Sequence, residues 1–97
     1  MMGHSVSNYV INGTITCAKD ELGMFQAAVA EHIALTRAEV GNIDFDIRQS
    51  APGSCTFLVS ECFVDQAAFD LHTARTRASS WWQKTKHIPR KLTHSSK

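Results

Sequence analysis

The sequence lacks any long apolar run and carries almost no net charge. Its longest apolar stretches are a few residues, against about 20 for a helix that crosses a membrane, and no apolar segment follows Met1 that would mark a signal peptide. The formal net charge of the 97 residues is +1, which gives no electrostatic basis for binding nucleic acid or an anionic membrane. We therefore expect a cytoplasmic protein that binds neither a membrane nor a nucleic acid.

Cysteine is also scarce, and its positions argue against two kinds of site. The three residues Cys17, Cys55 and Cys62 are odd in number and lack the spacing of a zinc site, so neither a disulfide framework nor a structural metal is expected. Cys55 and Cys62 lie in one predicted strand and point to opposite faces, so they cannot bind one metal together. We expect reduced thiols and no metal site.

The length of the chain limits it to one modest core. A monomer of this size buries a smaller share of its apolar surface than a larger protein does, which favours oligomerisation. Residues 1–7 are small and polar and are expected to form a disordered N-terminal tail. Residues 8–95 then form a single domain.

The first half of that domain predicts a strand and a helix. Residues 8–17 alternate and are rich in β-branched side chains, which is typical of a central strand. Gly13 in its middle indicates a bulge or a close approach by a ligand or another backbone. Apolar residues at helical spacing predict a helix over about 20–40, with Asp20 as N-cap and Gly41 in the left-handed conformation after its end.

Two further strands are predicted at 43–48 and 55–63. The turn between them contains Pro52 and Gly53, so the second strand returns antiparallel to the first. Glu61 falls on the more apolar side of the second strand, where burial would raise its pKa. A position at the strand end would leave it solvated instead, and this alternative is favoured.

The last part of the chain predicts two helices and an edge strand. Asp65 is the N-cap of a helix over about 65–75, and Ser80 begins a capping-box pattern that starts a second, short helix. Residues 90–95 follow a proline and are rich in basic side chains, which is typical of an edge strand. The first of these helices places three residues on one face by their offsets of three and four: Ala68, Phe69 and His72.

This order of elements predicts an α+β, ferredoxin-like (split βαβ) fold with helices on one face of an antiparallel sheet. The other face of the sheet then needs a cover. For a chain this small we expect a second copy to supply it, in an isologous homodimer.

Two motifs give the chain its resemblance to a known family. They are Thr36-Arg37-Ala38-Glu39-x-Gly41-Asn42 and Glu61-x-Phe63-x-Asp65-x-x-Ala68-Phe69-x-x-His72-x-x-Arg75-Thr76. With them the chain resembles the antibiotic biosynthesis monooxygenase (ABM) family of dimeric α+β barrels, over about residues 8–93. The resemblance implies a homodimer with a pocket between sheet and helices in each subunit. It also implies the oxidation of a small electron-rich aromatic by molecular oxygen without a metal, flavin or other cofactor.

The chemistry of such a reaction suggests candidate site residues. A cofactor-independent oxygenase needs an apolar pocket that excludes water and a base that favours the aromatic anion, which then supplies electrons to oxygen. His72 has a suitable side chain, with an ordinary pKa of about 6.5, and Asn12 could donate to a developing oxyanion across the pocket. These two are the predicted catalytic residues. The predicted substrate-binding residues are Phe25, His32, Phe57, Phe69 and Trp82.

The leading hypothesis is therefore a monooxygenase for a quinol- or anthrone-like aromatic, and two alternatives remain open. One is a non-catalytic dimeric module of the same fold that binds a small molecule or acts in a stress response, with a closed apolar pocket and His72 bonded to backbone. The other is a haem-degrading oxygenase. It is less favoured, because such relatives use an asparagine, a tryptophan and a histidine, and here His72 stands at the tryptophan position and Trp82 near the histidine position.

Overall fold

The computed structural model describes residues 7–97, which form one antiparallel sheet covered on one face by helices. In chain order the elements are β1 (Tyr9–Thr16), a 3-10 turn (Lys19–Glu21), α1 (Leu22–Arg37), β2 (Asn42–Gln49), β3 (Thr56–Phe63), α2 (Gln66–Arg77), α3 (Ser80–Thr85) and β4 (Arg90–Ser96). The predicted α+β, ferredoxin-like fold is confirmed. The tail predicted at residues 1–7 lies, except for Ser7, outside the described residues.

The sheet has the strand order β2-β3-β1-β4, so β1 is central and β4 is an edge strand, as predicted. In the β1–β3 ladder Ile11 lies opposite Glu61. In the β1–β4 ladder Ile15 lies opposite Arg90. Gly13 is explained by the second ladder, because a Cβ atom there would lie 1.9 Å from the carbonyl oxygen of Lys91.

The core lies between the sheet and α1. Strand alternation turns every second side chain toward the helices, and the alternating burial of β3 follows this period of two. Phe25 of α1 is fully buried and meets Phe57 of β3 with ring centroids 4.7 Å apart. The opposite face of the sheet carries the other half of the strand residues, including the exposed Asn12 and Leu58, and no described element of residues 7–97 covers it.

The ends of α1 differ from their prediction. Asp20 lies inside the 3-10 turn and caps nothing; instead the Glu21 carboxylate accepts a hydrogen bond from the Ala18 amide at 3.1 Å. Among residues 7–97 only Gly53 has a positive φ, so Gly41 is not left-handed. Position 41 needs glycine for a steric reason, because a Cβ atom there would lie 2.4 Å from the Ala68 Cβ atom.

The predicted N-cap of α2 is confirmed, and the N-cap of α3 lies one residue before the predicted one. Asp65 caps α2 as predicted, and its carboxylate accepts from the Ala68 amide at 2.8 Å. For α3 the cap is Ser79, whose hydroxyl oxygen accepts from the Trp82 amide, and Ser80 is the first helical residue. No helix within residues 7–97 combines the length and apolar character needed to cross a membrane.

Candidate functional site

A cavity of about 240 Å³ lies between the helix-covered face of the sheet and the three helices. Most of its wall is apolar: Ile11, Ile15, Phe45, Ile47, Val59, Phe69, Leu92, Trp81 and Trp82. Its polar lining comes from His32 on α1, from Glu61 and Arg90 on the sheet, and from His72, Thr73, Thr76 and Arg77 on α2. Arg77 and Leu92 are exposed, so the cavity reaches the surface at that end.

Glu61 is buried in this cavity, so the expectation of a solvated carboxylate is wrong. It is 8% exposed, because it shares the helix-facing side of β3 with Val59 and Phe63. Burial, together with the charge of Glu39, raises the pKa of Glu61 to about 7. Its Oε1 atom has no hydrogen-bond partner in residues 7–97 and lies 3.8 Å from Nε2 of His72.

His72 is buried on α2, and a carboxylate fixes the orientation of its ring. Nδ1 lies 3.0 Å from Oε1 of Glu39, and since an ionised carboxylate only accepts, Nδ1 carries the proton. Arg75 donates to the same carboxylate, and its second nitrogen donates to Thr36 at 3.1 Å. The Nε2 lone pair of the neutral ring is therefore turned toward Glu61 and the hydroxyl of Thr76, 3.4 Å away.

The charge of His72 is set mainly by burial. Burial lowers its pKa, while Glu39 opposes the shift as a nearby anion and hydrogen-bond partner. The direction of the net shift keeps the imidazole neutral at neutral pH. His72 thus offers an unprotonated nitrogen to the cavity without a buried positive charge.

His32 lies against the same cavity and is also neutral. Its ring is parallel to that of Trp81, with 4.4 Å between centroids and 1° between planes. It is 3% exposed, and its Nδ1 atom has no hydrogen-bond partner among the described residues. Burial is the main cause, and the nearby charges of His72, Arg75 and Arg90 add to it; together they lower the pKa of His32 to about 3.

The structure brings some of the predicted site residues together and separates others. His72, His32, Phe69 and Trp82 line the cavity. The structure instead places Phe25 and Phe57 in the core beneath it. The expected approach of Asn12 to His72 does not occur within the subunit, because Asn12 follows the inward-facing Ile11 and its side chain is exposed on the far side of the sheet.

Sequence reasoning missed several residues around His72. Glu61 was considered and judged solvated, although its alternation with buried aromatic residues of β3 carried the signal. Glu39 and Arg75 belong to the family motifs, yet nothing in their spacing indicates that they meet His72. Within residues 7–97 no three His, Cys, Asp or Glu side chains are grouped to hold a metal ion. The three cysteines of that range are unpaired thiols.

Comparison with known structures gives the same fold. A Nitrosomonas europaea protein, provisionally described as an antibiotic biosynthesis monooxygenase, superposes with a TM-score of 0.83 at 21% identity, covering 99% of this chain and 95% of its own. A Deinococcus radiodurans protein with the same provisional description gives 0.78 at 18% identity, covering 90% and 89%. A Shewanella oneidensis protein gives 0.75 at 23% identity, covering 96% and 93%. At these identities the likeness shows the fold alone.

The family itself is shown by sequence. Comparison with curated proteins gave no significant match. The sequence profile of the ABM family, described as antibiotic biosynthesis monooxygenase, matches residues 8–87, which is most of the chain. The chain therefore belongs to the antibiotic biosynthesis monooxygenase family.

Proposed function

We propose that this protein is a homodimeric, cofactor-independent monooxygenase that oxidises a small quinol- or anthrone-like aromatic with molecular oxygen. The observation that carries the proposal is the pairing of Glu61 with His72 inside an otherwise apolar cavity. Family membership supports a reaction of this class. The proposal also includes the cytoplasmic location expected from the sequence.

Glu61 has the properties of a general base. A base works best when its pKa is close to the working pH, and the pKa of Glu61 is raised to about 7. At neutral pH a large share of the carboxyl groups is ionised and ready to accept a proton. The unsatisfied Oε1 atom leaves one oxygen available for a substrate C–H or O–H group.

His72 supports Glu61 in this scheme. Its Nε2 lies 3.8 Å from Glu61 and is unprotonated, so it faces the carboxyl as a hydrogen-bond acceptor while Glu61 holds the proton taken from the substrate. The Glu39 carboxylate accepts from Nδ1 and so keeps Nε2 in that acceptor state. Asn12 has no part in this mechanism, since its side chain lies on the other face of the sheet.

With an anthrone as substrate the reaction balances without a further reductant. Glu61 removes a proton from the CH₂ group, and the resulting carbanion gives an electron to oxygen before the C–O bond forms. The stored proton returns to give a hydroperoxide. Removal of the second C–H proton then breaks the O–O bond, leaving C=O on the product, and the departing hydroxide takes that proton to become water.

The cavity suits one small aromatic system. A dry apolar cavity of roughly 150 Å³ holds benzene in another protein, and this cavity has about 240 Å³. Its apolar wall removes water from the substrate, so that the developing anion meets protein groups and oxygen alone.

The non-catalytic alternative predicts a different site. It called for a purely apolar pocket with His72 bonded to backbone, whereas His72 is bonded to the Glu39 carboxylate beside the buried Glu61. These two carboxylates favour proton transfer over simple binding. The alternative becomes an outcome of the test below.

Oxygen consumption by chelator-treated protein tests the proposal. With a panel of anthrones and quinols we expect uptake of one O₂ per anthrone converted to quinone, and slower uptake in Glu61→Gln and His72→Ala. The exposed Asp70 on α2 supplies a matched control, and Asp70→Asn should leave the rate unchanged. Binding of the aromatics without oxygen uptake would contradict the proposal in favour of a binding module.

A further inference from the structure

Arg90 places a half-buried positive charge at the cavity. It begins β4 opposite Ile15 and lines the cavity wall. One terminal nitrogen donates to the carbonyl oxygen of Thr85 at 2.8 Å and to its hydroxyl at 3.0 Å. The Nε atom is buried and has no hydrogen-bond partner in the described part of the chain.

No carboxylate within residues 7–97 neutralises this charge. Every ion pair of that range involves other residues. Burial lowers the pKa of Arg90, but a guanidinium stays protonated in proteins. A buried cation without a counter-charge is costly, so an anion that enters the cavity would gain from meeting it.

The contacts that Arg90 does make account for only part of its position. The hydrogen bonds to Thr85 satisfy a carbonyl at the C-terminal end of α3. The guanidinium carbon lies 5.8 Å from the Trp81 ring centroid and 5.3 Å from that of Trp82, and such cation–π contacts offset some of the desolvation. Neither contact satisfies Nε or supplies a negative charge.

The cationic end of the cavity is separate from its proton-transfer end. Glu61 on β3 is opposite Ile11 and Arg90 on β4 is opposite Ile15, so their backbone positions are offset by four residues along β1, about 13 Å at the rise of a strand. Both face the helices, and the sheet contributes the apolar side chains of Ile11, Ile15 and Val59 to the cavity wall near them. A matching ligand has an aromatic body and an acidic group directed away from Glu61.

We propose that Arg90, over Trp81 and Trp82, is an anion subsite, and that the aromatic substrate of this cavity carries a carboxylate. This inference rests on the proposed function, because only that function makes the bound molecule a substrate. The carboxylate binds the guanidinium, which leaves the aromatic ring toward Glu61 and His72. Trp82 contributes a ring face at the same end.

A matched acid and amide test the subsite without turnover. We expect 2-naphthoate to bind the wild-type protein at pH 7 about tenfold or more tightly than 2-naphthamide in isothermal titration calorimetry, as one charge-assisted hydrogen-bonded pair provides. Equal affinity for the two probes overturns the subsite, whatever any variant does.

Variants of Arg90 test whether this residue causes the preference for 2-naphthoate over 2-naphthamide. Arg90→Gln should abolish the advantage of 2-naphthoate and leave 2-naphthamide affinity within about twofold, while Arg90→Lys, which keeps the charge, should retain part of it. Arg48, an exposed arginine on the other face of the sheet, is the matched control, and Arg48→Gln should bind both probes as the wild type does. A preference that survives in a folded Arg90→Gln protein overturns the assignment.

The two proposals fail separately. Neither naphthalene probe is a quinol or an anthrone, so binding through Arg90 without oxygen uptake on any quinol overturns the reaction and keeps the subsite. Oxidation of a neutral anthrone with no preference for the acid overturns the subsite and keeps the reaction.

Discussion

Burial shifts the pKa of three titratable side chains in one cavity, in each case in the direction that favours the uncharged form. Burial disfavours the charged form of any group, so it raises the pKa of Glu61 to about 7 and lowers that of His32 to about 3. It also lowers the pKa of His72. The cavity can therefore hold an uncharged aromatic ring beside a base that ionises close to neutral pH.

The first residue-scale prediction concerns the pH dependence of oxygen uptake. Because ionised Glu61 is the base, kcat/KM should rise with pH through about 7 and then level off, in line with the pKa of Glu61. Glu61→Gln should lower kcat/KM by about 10²–10⁴-fold, the usual contribution of a general base, and flatten this rise. Rates between pH 5 and 9 measure both, and a variant with the wild-type profile would contradict the assignment.

The second residue-scale prediction concerns stability in acid. The folded pKa of His32, about 3, lies below its unfolded value of 6.5, so the unfolded chain takes up a proton first as the pH falls. The stability that His32 contributes is complete above pH 6.5 and is lost toward pH 3, by about 1.4 kcal/mol per pH unit.

His32→Phe keeps a ring against Trp81 and removes this titration. We compare the free energies of unfolding in urea at pH 7 and pH 4. Between pH 7 and pH 4 the wild type should lose roughly 3 kcal/mol more stability than the variant does. Glu61 titrates in both proteins and cancels in the difference. Equal pH slopes for wild type and His32→Phe would refute the buried neutral imidazole.

The sequence predicted part of the site, and the limits have physical causes. Residue type and helical offset were enough to place His72 and Phe69 on one helix face. Alternation separated Asn12 from Ile11, but both sides of β1 are partly apolar, so the pattern did not tell which side the helices cover. The contact of His72 with Glu39 joins two elements 33 positions apart, and only the fold brings them together.

At the scale of elements, periodicity predicted the helices and strands well, and local geometry decided their ends. The order of strands and helices is as expected, including the edge position of β4. Ser79 and Ser80 are chemically equivalent caps, so composition could not choose between them. Gly41 could have been selected for its backbone freedom or for its size, and the close approach of Ala68 decides for size.

At the scale of elements, replacing two glycines by alanine should change the unfolding free energy in opposite directions. In Gly13→Ala the new Cβ atom would meet backbone of β4 at 1.9 Å, so β4 must move, and we expect a loss of about 1–3 kcal/mol in unfolding free energy. A Cβ atom on Gly23 of α1 meets nothing within 4 Å, so Gly23→Ala should stabilise by up to about 1 kcal/mol. Denaturant unfolding measures both, and similar effects of the two changes would contradict the steric account. Because β4 carries Arg90, Gly13→Ala should also weaken binding of 2-naphthoate.

At the scale of the whole molecule, the described chain covers only one face of its sheet. The uncovered face carries Asn12, the apolar Leu58 at 39% exposure, and the charged side chains of β2. A sheet of this kind is stable when both faces are packed or one is well solvated. The homodimer in our proposal packs this face on its copy, which would place Asn12 at the subunit interface.

Leu58 tests the dimer, because it lies near the centre of the uncovered face, opposite Thr14 on β1 and Arg48 on β2. Light scattering after size exclusion should give the wild type twice the chain mass of 10.7 kDa. Leu58→Arg should reduce this to a single chain, since an unpaired charge buried in an interface costs more than the contact gains.

Leu71 is the matched control for Leu58, being an equally large apolar residue exposed at 75% on α2. Leu71→Arg should remain dimeric. Because the cavity lies on the helix-covered face of the sheet and Leu58 on the other face, monomeric Leu58→Arg should still bind 2-naphthoate through Arg90. A wild-type mass of one chain, or an undisturbed dimer in Leu58→Arg, would show that the uncovered face is solvated and that each subunit holds its cavity alone.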